Sequence, residues 1–344
     1  MEIPDQMNAV RLLGPGDVDQ LHYGLVATPR LASGEVLIRV TAAALNRSDI
    51  VARTAEKPLP AGGKESAFPR IQGADVCGII VRISKGIDPG RVGQRVLLDP
   101  CLRPQQHGSL YDAGYLGTTC DGGFADYVKV PANCAYTVAS SLTDAELASF
   151  PVSCSTAENL LRHAGVGAGD TVLVTGASGA VGSATVQLAK RRRARVIAIA
   201  STAGAHTVMA LGADNVIPRG TSPQAALGDR SVDVVIDVVG GALWPELLAV
   251  LVCGGRYATP GTRTAAPIGM DLNILANHNL SLFGCTGHTA DVFRDLIGYI
   301  ERREIRPLVA STYSLPDMAQ AQQDLMARKK VGKPILMPTQ PIAP

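Results

Sequence analysis

The sequence predicts an α/β protein in which a doubly wound parallel sheet follows a β-rich, β-barrel-like domain. Short β-type runs separated by Gly and Pro fill the first third of the chain. From about residue 141 strands alternate with helices, which is typical of a parallel sheet with helices on both faces. A chain of 344 residues is long enough for two such domains.

The β-rich part is predicted from runs of apolar and β-branched residues that end at turn-forming residues. These runs are residues 35–40 (EVLIRV), 78–83 (GIIVRI), 95–98 and 124–130 (FADYVKV). We expect them to form a β-barrel-like domain. Residues 56–67 (EKPLPAGGKESA) are rich in Pro, Gly and charge, and we expect a solvent-exposed loop there.

The parallel sheet is predicted to contain six strands, with helices after Gly182 and over residues 206–211. The strands are residues 171–175, 195–200 (RVIAIA), 215–217, 232–239 (VDVVIDVV), 254–259 (GGRYAT) and 280–284 (LSLFG). The tail is predicted to form a helix, a strand, a helix and a strand at residues 291–303, 311–314, 318–328 and 333–337. We expect this tail to return to the first domain.

The strongest motif lies in residues 171–190 (TVLVTGASGAVGSATVQLAK). An apolar strand leads into Gly176, Gly179 and Gly182, and an amphipathic helix follows. Glycines at this turn let the backbone approach a pyrophosphate, whose charge is favoured at the start of the helix. Because strand, turn and helix occur in the required order, the segment predicts a dinucleotide-binding corner.

Composition excludes several classes of protein. The chain is 46% hydrophobic and 18% charged, which is ordinary for a globular enzyme, and its net charge is only +2. We therefore expect neither a nucleic-acid partner nor a membrane partner. The seven cysteines are scattered without a C-x-x-C pair, and the N-terminal residues lack the pattern of a secretion signal. A cytoplasmic location is expected.

Seven short motifs link the chain to a known family. They are residues 44–49 (ALNRSD), 73–75 (GAD), 93–96 (GQRV), 122–127 (GGFADY), 178–182 (SGAVG), 211–214 (LGAD) and 332–336 (GKPIL). Their order and spacing resemble the medium-chain dehydrogenase/reductase superfamily, in particular its zinc-independent quinone oxidoreductase-like and enoyl reductase-like branches. The resemblance implies a GroES-like catalytic domain at residues 1–140, completed by residues 287–344, and a Rossmann nucleotide-binding domain at residues 141–286.

Departures from the zinc-dependent relatives predict that no metal is bound. Those relatives have cysteine, histidine and cysteine near the positions of Asn46, Ala74 and Val152. None of the three side chains here suits zinc, which prefers thiolate and imidazole ligands. Cys154 lies two residues away and is interpreted as a packed thiol. Of the four cysteines that hold the structural zinc in relatives, only Cys101 remains.

The resemblance implies NADP(H) as the cofactor. At the end of the second Rossmann strand, where NAD-dependent enzymes place a carboxylate, this chain has Ser201 and Thr202, and Arg219 can add positive charge. A lysine that some NADPH-using relatives carry here is replaced by Gly204. The remaining cofactor residues that the resemblance implies are Asn46, Arg47, Thr156, Ser178, Gly179, Ala180, Val181, Val239, Thr259, Gly261, Phe283, Gly284, Cys285 and Lys333. Residues 259–261 and 283–285 resemble the segments that hold the nicotinamide ribose and carboxamide in relatives.

Four residues are predicted at the reaction centre. The amide of Asn46 can bind the nicotinamide ribose or the substrate, and the hydroxyl of Ser48 can pass a proton. Tyr111 or Tyr115 can donate a proton or form the wall of the pocket, and the sequence does not choose between them. Asp49 is expected to brace the loop.

The function predicted from these residues is zinc-independent, NADPH-dependent hydride transfer to a small molecule, either an α,β-unsaturated carbonyl compound or a quinone. One alternative is an alcohol dehydrogenase or aldehyde reductase of the zinc type. A further alternative is a catalytically idle NADPH-binding protein. The resemblance also implies a homodimer, because in relatives the segment equivalent to residues 280–285 pairs across a two-fold axis at the sheet edge, and edge strands readily pair with a second copy.

Overall fold

A computed structural model of the chain describes residues 2–54, 68–103, 114–261, 268–327 and 330–338. The chain divides into two compact units. Unit 1 comprises Met1–Val152, Phe293–Glu301 and Pro307–Pro344, and unit 2 comprises Ser153–Val292 and Arg302–Arg306. Among the helices in the described ranges, none combines the length and the apolar character that crossing a membrane requires.

Strands dominate before residue 140, and strands alternate with helices after it. Up to that point and just beyond it the elements are β1 (Gln6–Leu12), β2 (Leu21–Ala27), β3 (Glu35–Ala44), α1 (Arg47–Thr54), β4 (Arg70–Ile71), β5 (Asp75–Ile83), β6 (Arg95–Leu98), β7 (Cys101–Leu102), β8 (Gly114–Tyr115), β9 (Tyr127–Pro131), β10 (Ala135–Thr137), α2 (Asp144–Ala148) and α3 (Pro151–His163). They are followed by β11 (Thr171–Val174), α4 (Ala180–Arg191), β12 (Arg195–Ala200), α5 (Thr202–Ala210), β13 (Asn215–Pro218), α6 (Pro223–Leu227), β14 (Val232–Ile236), α7 (Trp244–Ala249), β15 (Leu251–Thr259), α8 (Leu272–Asn277), β16 (Ser281–Gly284), α9 (Ala290–Glu301), β17 (Val309–Ser314), α10 (Met318–Ala327) and β18 (Lys333–Met337).

The main sheet of unit 1 has the order β10-β6-β5-β3-β18-β17 in the described part of the chain, and β9 also pairs with β3. Strand β3 runs antiparallel to both β5 and β18, and Ala44 near its end lies opposite Asp75 and Ile335. The end of β3 therefore lies beside the starts of β5 and β18. This arrangement brings together side chains that are far apart in sequence.

Unit 2 contains a parallel sheet in the order β13-β12-β11-β14-β15-β16. The connections run outward in both directions from β11, so the strand order reverses between β11 and β14. Sheets of this order bind ligands at the carboxyl ends of their strands, at the point of reversal. Buried Val, Ile and Leu residues of the strands form the core of this unit. The predicted α/β fold with a doubly wound parallel sheet is confirmed.

Several predicted element boundaries are wrong, among them the starts of the strands predicted from residues 78 and 254, which begin at Asp75 and Leu251. The strand predicted at residues 232–239 ends at Ile236, because the side chain of Asp237 binds the main chain that follows it. The helix predicted from residue 206 begins at Thr202, because Ser201 caps it. The strand predicted from Phe124 begins at Tyr127. Strands β1 and β2, which pair with each other, had no counterpart among the predicted elements.

Candidate active site

Most of the predicted cofactor residues of unit 2 lie at the carboxyl edge of its sheet, at or just after the ends of the strands. They are Ser178, Gly179, Ala180 and Val181 after β11, Ser201 and Thr202 after β12, Arg219 after β13, Val239 after β14, Thr259 and Gly261 at β15, and Phe283, Gly284 and Cys285 at β16. Thr156 lies in α3 instead. The structure therefore brings this set to the edge where such sheets bind ligands.

The glycine corner has the geometry that a pyrophosphate needs. Gly176 has φ +57°, which favours glycine, and Gly179 precedes α4 without a side-chain cap. A Cβ atom on Gly182 would lie 2.3 Å from the main-chain oxygen of Gly176, so only glycine fits there. The first turn of α4 thus lies close to the end of β11 and presents main-chain N–H groups that can bind phosphate.

The turn after β12 is polar and contains no carboxylate. Ser201 caps α5, and its Oγ accepts the N–H of Gly204 at 3.3 Å. The N–H of Arg219 donates to the main-chain oxygen of Ala200 at 2.8 Å, which places exposed Arg219 beside this turn. A Cβ atom on Gly204 would lie 2.4 Å from Cβ of Ser178, so the helix packs tightly against the glycine corner.

Asp237 is a residue of this edge that the sequence analysis missed. It is 1% exposed, and its Oδ1 accepts the N–H groups of Val239 at 2.9 Å and Gly240 at 3.0 Å. Its carboxylate also accepts the hydroxyls of Thr175 and Tyr257. An acidic residue inside the apolar run 232–239 was the available signal.

A main-chain hydrogen bond joins the ends of β15 and β16, where residues 259–261 and 283–285 are predicted to hold the nicotinamide. The N–H of Cys285 donates to the main-chain oxygen of Thr259 at 2.9 Å. Oγ of Thr259 accepts the N–H of Gly261 at 3.1 Å. Burial raises the pKa of the Cys285 thiol to about 11, so this thiol stays protonated at neutral pH.

A buried polar cluster lies in unit 1 where β3, β5 and β18 meet. The ammonium of Lys333 donates to Oδ2 of Asp75, and both side chains are buried, at 3% and 0% exposure. Nδ2 of Asn46 donates to the same oxygen at 2.8 Å, and the N–H of Val152 donates to Oδ1 at 2.6 Å. Both oxygens of Asp75 are therefore occupied by protein donors. The predicted contact between Lys333 and the cofactor stays a prediction.

Asp49 and Tyr115 complete the charge pattern of this cluster. Burial raises the pKa of Asp49 to about 7, although the N–H of Asn46 donates to its Oδ2 at 2.7 Å. Burial also raises the pKa of Tyr115 well above its ordinary value, and the charges of Asp75 and Asp49 raise it further. Tyr115 is therefore a protonated phenol at neutral pH, which can donate a hydrogen bond or a proton.

The other predicted residues of unit 1 have different surroundings. Arg47 is exposed at the first position of α1, and Ser48 beside it is half-buried. Within the described residues neither side chain has a hydrogen-bond partner, so both can bind a ligand. Tyr111 lies outside the described residues, and its role stays a prediction.

The resemblance places the zinc ligands of related enzymes at or near Asn46, Ala74 and Val152. Asn46 donates its amide to Asp75, and Ala74 is buried at 4% exposure. Across the described ranges, no group of three or more His, Cys, Asp or Glu side chains is arranged to hold a metal ion.

Comparison with known proteins gives consistent matches along the chain. Residues 32–140 match the alcohol dehydrogenase GroES-like domain, and residues 211–336 match the zinc-binding dehydrogenase family. The quinone oxidoreductase of Rattus norvegicus is 29% identical over 96% of this chain and 98% of its own length. The acryloyl-coenzyme A reductase of Metallosphaera sedula is 29% identical over 90% of this chain and 94% of its own length.

A solved structure shows the same fold. A Sinorhizobium meliloti 1021 protein assigned as an alcohol dehydrogenase superimposes with a TM-score of 0.91 and 40% identity, over 98% of both chains.

Proposed function

The chain belongs to the medium-chain dehydrogenase/reductase superfamily and is an oxidoreductase of its quinone oxidoreductase-like group, and from that premise we propose its reaction. It transfers hydride from NADPH to the activated double bond of an α,β-unsaturated carbonyl compound or to a quinone. No catalytic zinc takes part. The named activities of the rat quinone oxidoreductase and the acryloyl-coenzyme A reductase support this class of substrate.

The observation that carries the proposal is that protein donors bind the carboxylate of Asp75. In the described part of unit 1, Asp75 is neutralised by the ammonium of Lys333 and accepts an amide from Asn46. A zinc ion would need thiolate or imidazole ligands, which Asn46 and Ala74 do not supply. Without a Lewis acid an alcohol is difficult to deprotonate, whereas a conjugated carbonyl or a quinone needs only hydrogen-bond donors for the negative charge that develops.

The preference for NADPH rests on the turn after β12. From Ala200 to Ala213 the sequence contains no Asp or Glu, so no carboxylate in this segment repels a 2′-phosphate. The hydroxyls of Ser201 and Thr202 can donate to that phosphate, and exposed Arg219 can supply charge. The N–H groups at the start of α4 suit the pyrophosphate.

The residues of unit 1 bind the substrate and donate the proton. When bound, the nicotinamide supplies the hydride. Asn46 donates its NH₂ group to Asp75, so its amide oxygen is oriented to accept a hydrogen bond from a ribose or a substrate. Tyr115 stays protonated and can donate to the oxygen on which charge develops, and Ser48 is the second candidate donor.

The protein also acts as a homodimer in this proposal. Strand β16 is the last strand of its sheet, and the neighbouring segment exposes Ile268, Met270, Leu272 and Ile274 at 38–67%. An unpaired strand edge beside exposed apolar side chains favours pairing with a second copy. We also place the protein in the cytoplasm, because all seven cysteines are free thiols.

The test is oxidation of NADPH and of NADH with a quinone, an enone, an aldehyde and an enoyl thioester, on protein assayed for zinc. We expect turnover of the quinone or enone with NADPH on zinc-free protein. Aldehyde turnover that a chelator abolishes would instead establish the zinc-type enzyme. Cofactor binding without turnover of any substrate would favour the idle protein.

Cofactor choice has its own test in Arg219→Ala. Loss of one charged contact with the 2′-phosphate is expected to raise KM for NADPH about tenfold and to leave KM for NADH unchanged. Arg195→Ala is the matched control, because Arg195 is an exposed arginine at the opposite end of β12. Equal effects of Arg219→Ala on both cofactors would contradict the assignment.

A further inference from the structure

Thr175, Asp237 and Tyr257 connect the ends of three neighbouring strands through their side chains. Thr175 follows β11, Asp237 follows β14 and Tyr257 lies near the end of β15, in the order β11-β14-β15 of the sheet. All three are buried, at 1%, 1% and 3% exposure. The hydroxyl of Thr175 donates to Oδ1 of Asp237 at 2.5 Å, and the hydroxyl of Tyr257 donates to Oδ2 at 2.6 Å. We call these three residues the hydroxyl–carboxylate cluster.

The cluster also holds the main chain that follows β14. Oγ of Thr175 accepts the N–H of Val238 at 3.1 Å, and Oδ1 of Asp237 accepts the next two N–H groups, of Val239 and Gly240. Gly240 has φ +69°, a conformation that glycine adopts as readily as many others. Glycine permits this shape, and the hydrogen bonds to the cluster hold the loop in it.

The hydrogen bonds indicate that Asp237 holds the loop after β14 in position. Its four partners are two hydroxyls and two main-chain N–H groups, all of which donate to it. Among the described residues none of these partners carries a charge, and each oxygen of the carboxylate accepts at least one of these donors. Burial raises the pKa of Tyr257, and the carboxylate of Asp237 raises it further, so Tyr257 remains a donor. Both oxygens of Asp237 are thus engaged by the protein itself.

The cluster lies next to two of the predicted cofactor residues, Val239 and Thr259. Oδ1 of Asp237 accepts the N–H of Val239 at 2.9 Å, and Tyr257 lies two residues before Thr259 on β15. The residues that favour NADPH, Ser201 and Arg219, follow β12 and β13 on the other side of β11. The sheet order therefore separates the cluster from the adenosine side.

We propose that Thr175, Asp237 and Tyr257 are positioning residues that hold Val239 and Thr259 in place for the nicotinamide half of the cofactor. The adenosine half is bound independently of them. The inference rests on the proposed function, because it requires that the chain binds NADPH. It adds residues that act through the main chain and touch neither substrate nor cofactor.

The test compares two ligands by isothermal titration calorimetry on the full-length protein. NADPH contains both halves, whereas adenosine 2′,5′-bisphosphate carries only the adenosine half and its phosphates. For Tyr257→Phe and Thr175→Val we expect NADPH to bind about three- to tenfold more weakly, because each variant removes one hydrogen bond to a buried charge. Binding of the bisphosphate is expected to stay within about twofold of wild type, because the adenosine side keeps its contacts.

Two control variants separate positioning from general damage. Thr175→Ser keeps the hydroxyl and is expected to restore wild-type NADPH binding. Tyr313→Phe removes a similar bond, from the Tyr313 hydroxyl to Asp324 at 2.8 Å, in unit 1 and is expected to change neither ligand. Asp237→Asn is the strongest perturbation of the cluster, and if it fails to fold the hydroxyl variants still decide the question.

The possible failures are distinguishable. Equal weakening of NADPH and of the bisphosphate in Tyr257→Phe would overturn the positioning role, and so would unchanged NADPH binding. If wild-type protein binds neither NADPH nor NADH, the proposed function itself fails. If wild type binds and turns over NADPH while the cluster variants behave as wild type, the proposed function stands and the inference falls.

Discussion

Replacing Lys333 with methionine tests the buried pair at the centre of unit 1. In wild type the ammonium of Lys333 is the counter-charge of Asp75, and the two side chains are 3% and 0% exposed. Methionine keeps the length of the side chain and removes the charge. Asp75 then retains only neutral donors, from Asn46 and Val152. Breaking a buried ion pair in this way costs about 3–5 kcal/mol of the free energy of unfolding.

The surface pair Lys129–Glu35 is the matched control. Its atoms are 2.9 Å apart, but the side chains are 38% and 21% exposed. Because solvent screens such a pair, Lys129→Met is expected to cost about 1 kcal/mol or less. Both lysines lie on strands of the same sheet, so the two variants differ mainly in burial.

The assay is urea unfolding at pH 8 without cofactor, followed by far-ultraviolet circular dichroism. Trp244, the single tryptophan, lies in unit 2, so its fluorescence does not report directly on this pair. The double variant Lys333→Met/Asp75→Asn removes both charges and is expected to recover to within about 1–2 kcal/mol of wild type. The reasoning is refuted if Lys333→Met costs no more than Lys129→Met, or if the second change gives no recovery.

Three further predictions concern titration, the glycine corner and assembly. Asp49→Asn is expected to raise the free energy of unfolding by its full amount above about pH 7, and by progressively less as the pH falls toward 3.8. The reason is that the folded-state pKa of Asp49 lies above its ordinary value, so the ionised carboxylate destabilises the folded protein. Unfolding at pH 5 and at pH 8.5 checks this. Gly182→Ala is expected to lower the free energy of unfolding by about 1–3 kcal/mol and to weaken NADPH binding in calorimetry, because the new Cβ would lie 2.3 Å from a main-chain oxygen. Gly167→Ala is the control and should be neutral, because there is open space around Gly167. Leu272→Asp should convert a dimer to a monomer in analytical ultracentrifugation, and a monomeric wild type at micromolar concentration would contradict the proposed assembly.

The sequence predicted the parallel sheet well because its signals are local. Apolar β-branched runs and the glycines after residue 175 determine strand, turn and helix within about twenty residues. The resemblance implied the candidate cofactor residues, and the strand order brings most of those in unit 2 to one edge, because parallel strands present their carboxyl ends together. Each of these inferences needed only neighbouring residues.

The polar contacts could not be predicted, because they join residues that are distant in sequence. Lys333 and Asp75 are 258 positions apart, and only the pairing of β3 with β5 and β18 brings them together. Asp237 was included in a strand because the residues around it are apolar. Its role depends on hydroxyls at residues 175 and 257, and no periodicity in the sequence links these positions.

The close packing of Gly204 against Ser178 limits how protein engineering can alter the cofactor preference. A lysine at residue 204 would have to displace Ser178 and with it the turn that is predicted to bind the pyrophosphate. Additional positive charge therefore cannot be introduced at that position without loss of the corner. A designer seeking an NADH-dependent variant has freedom at Arg219 and Thr202, which are exposed, and should begin there.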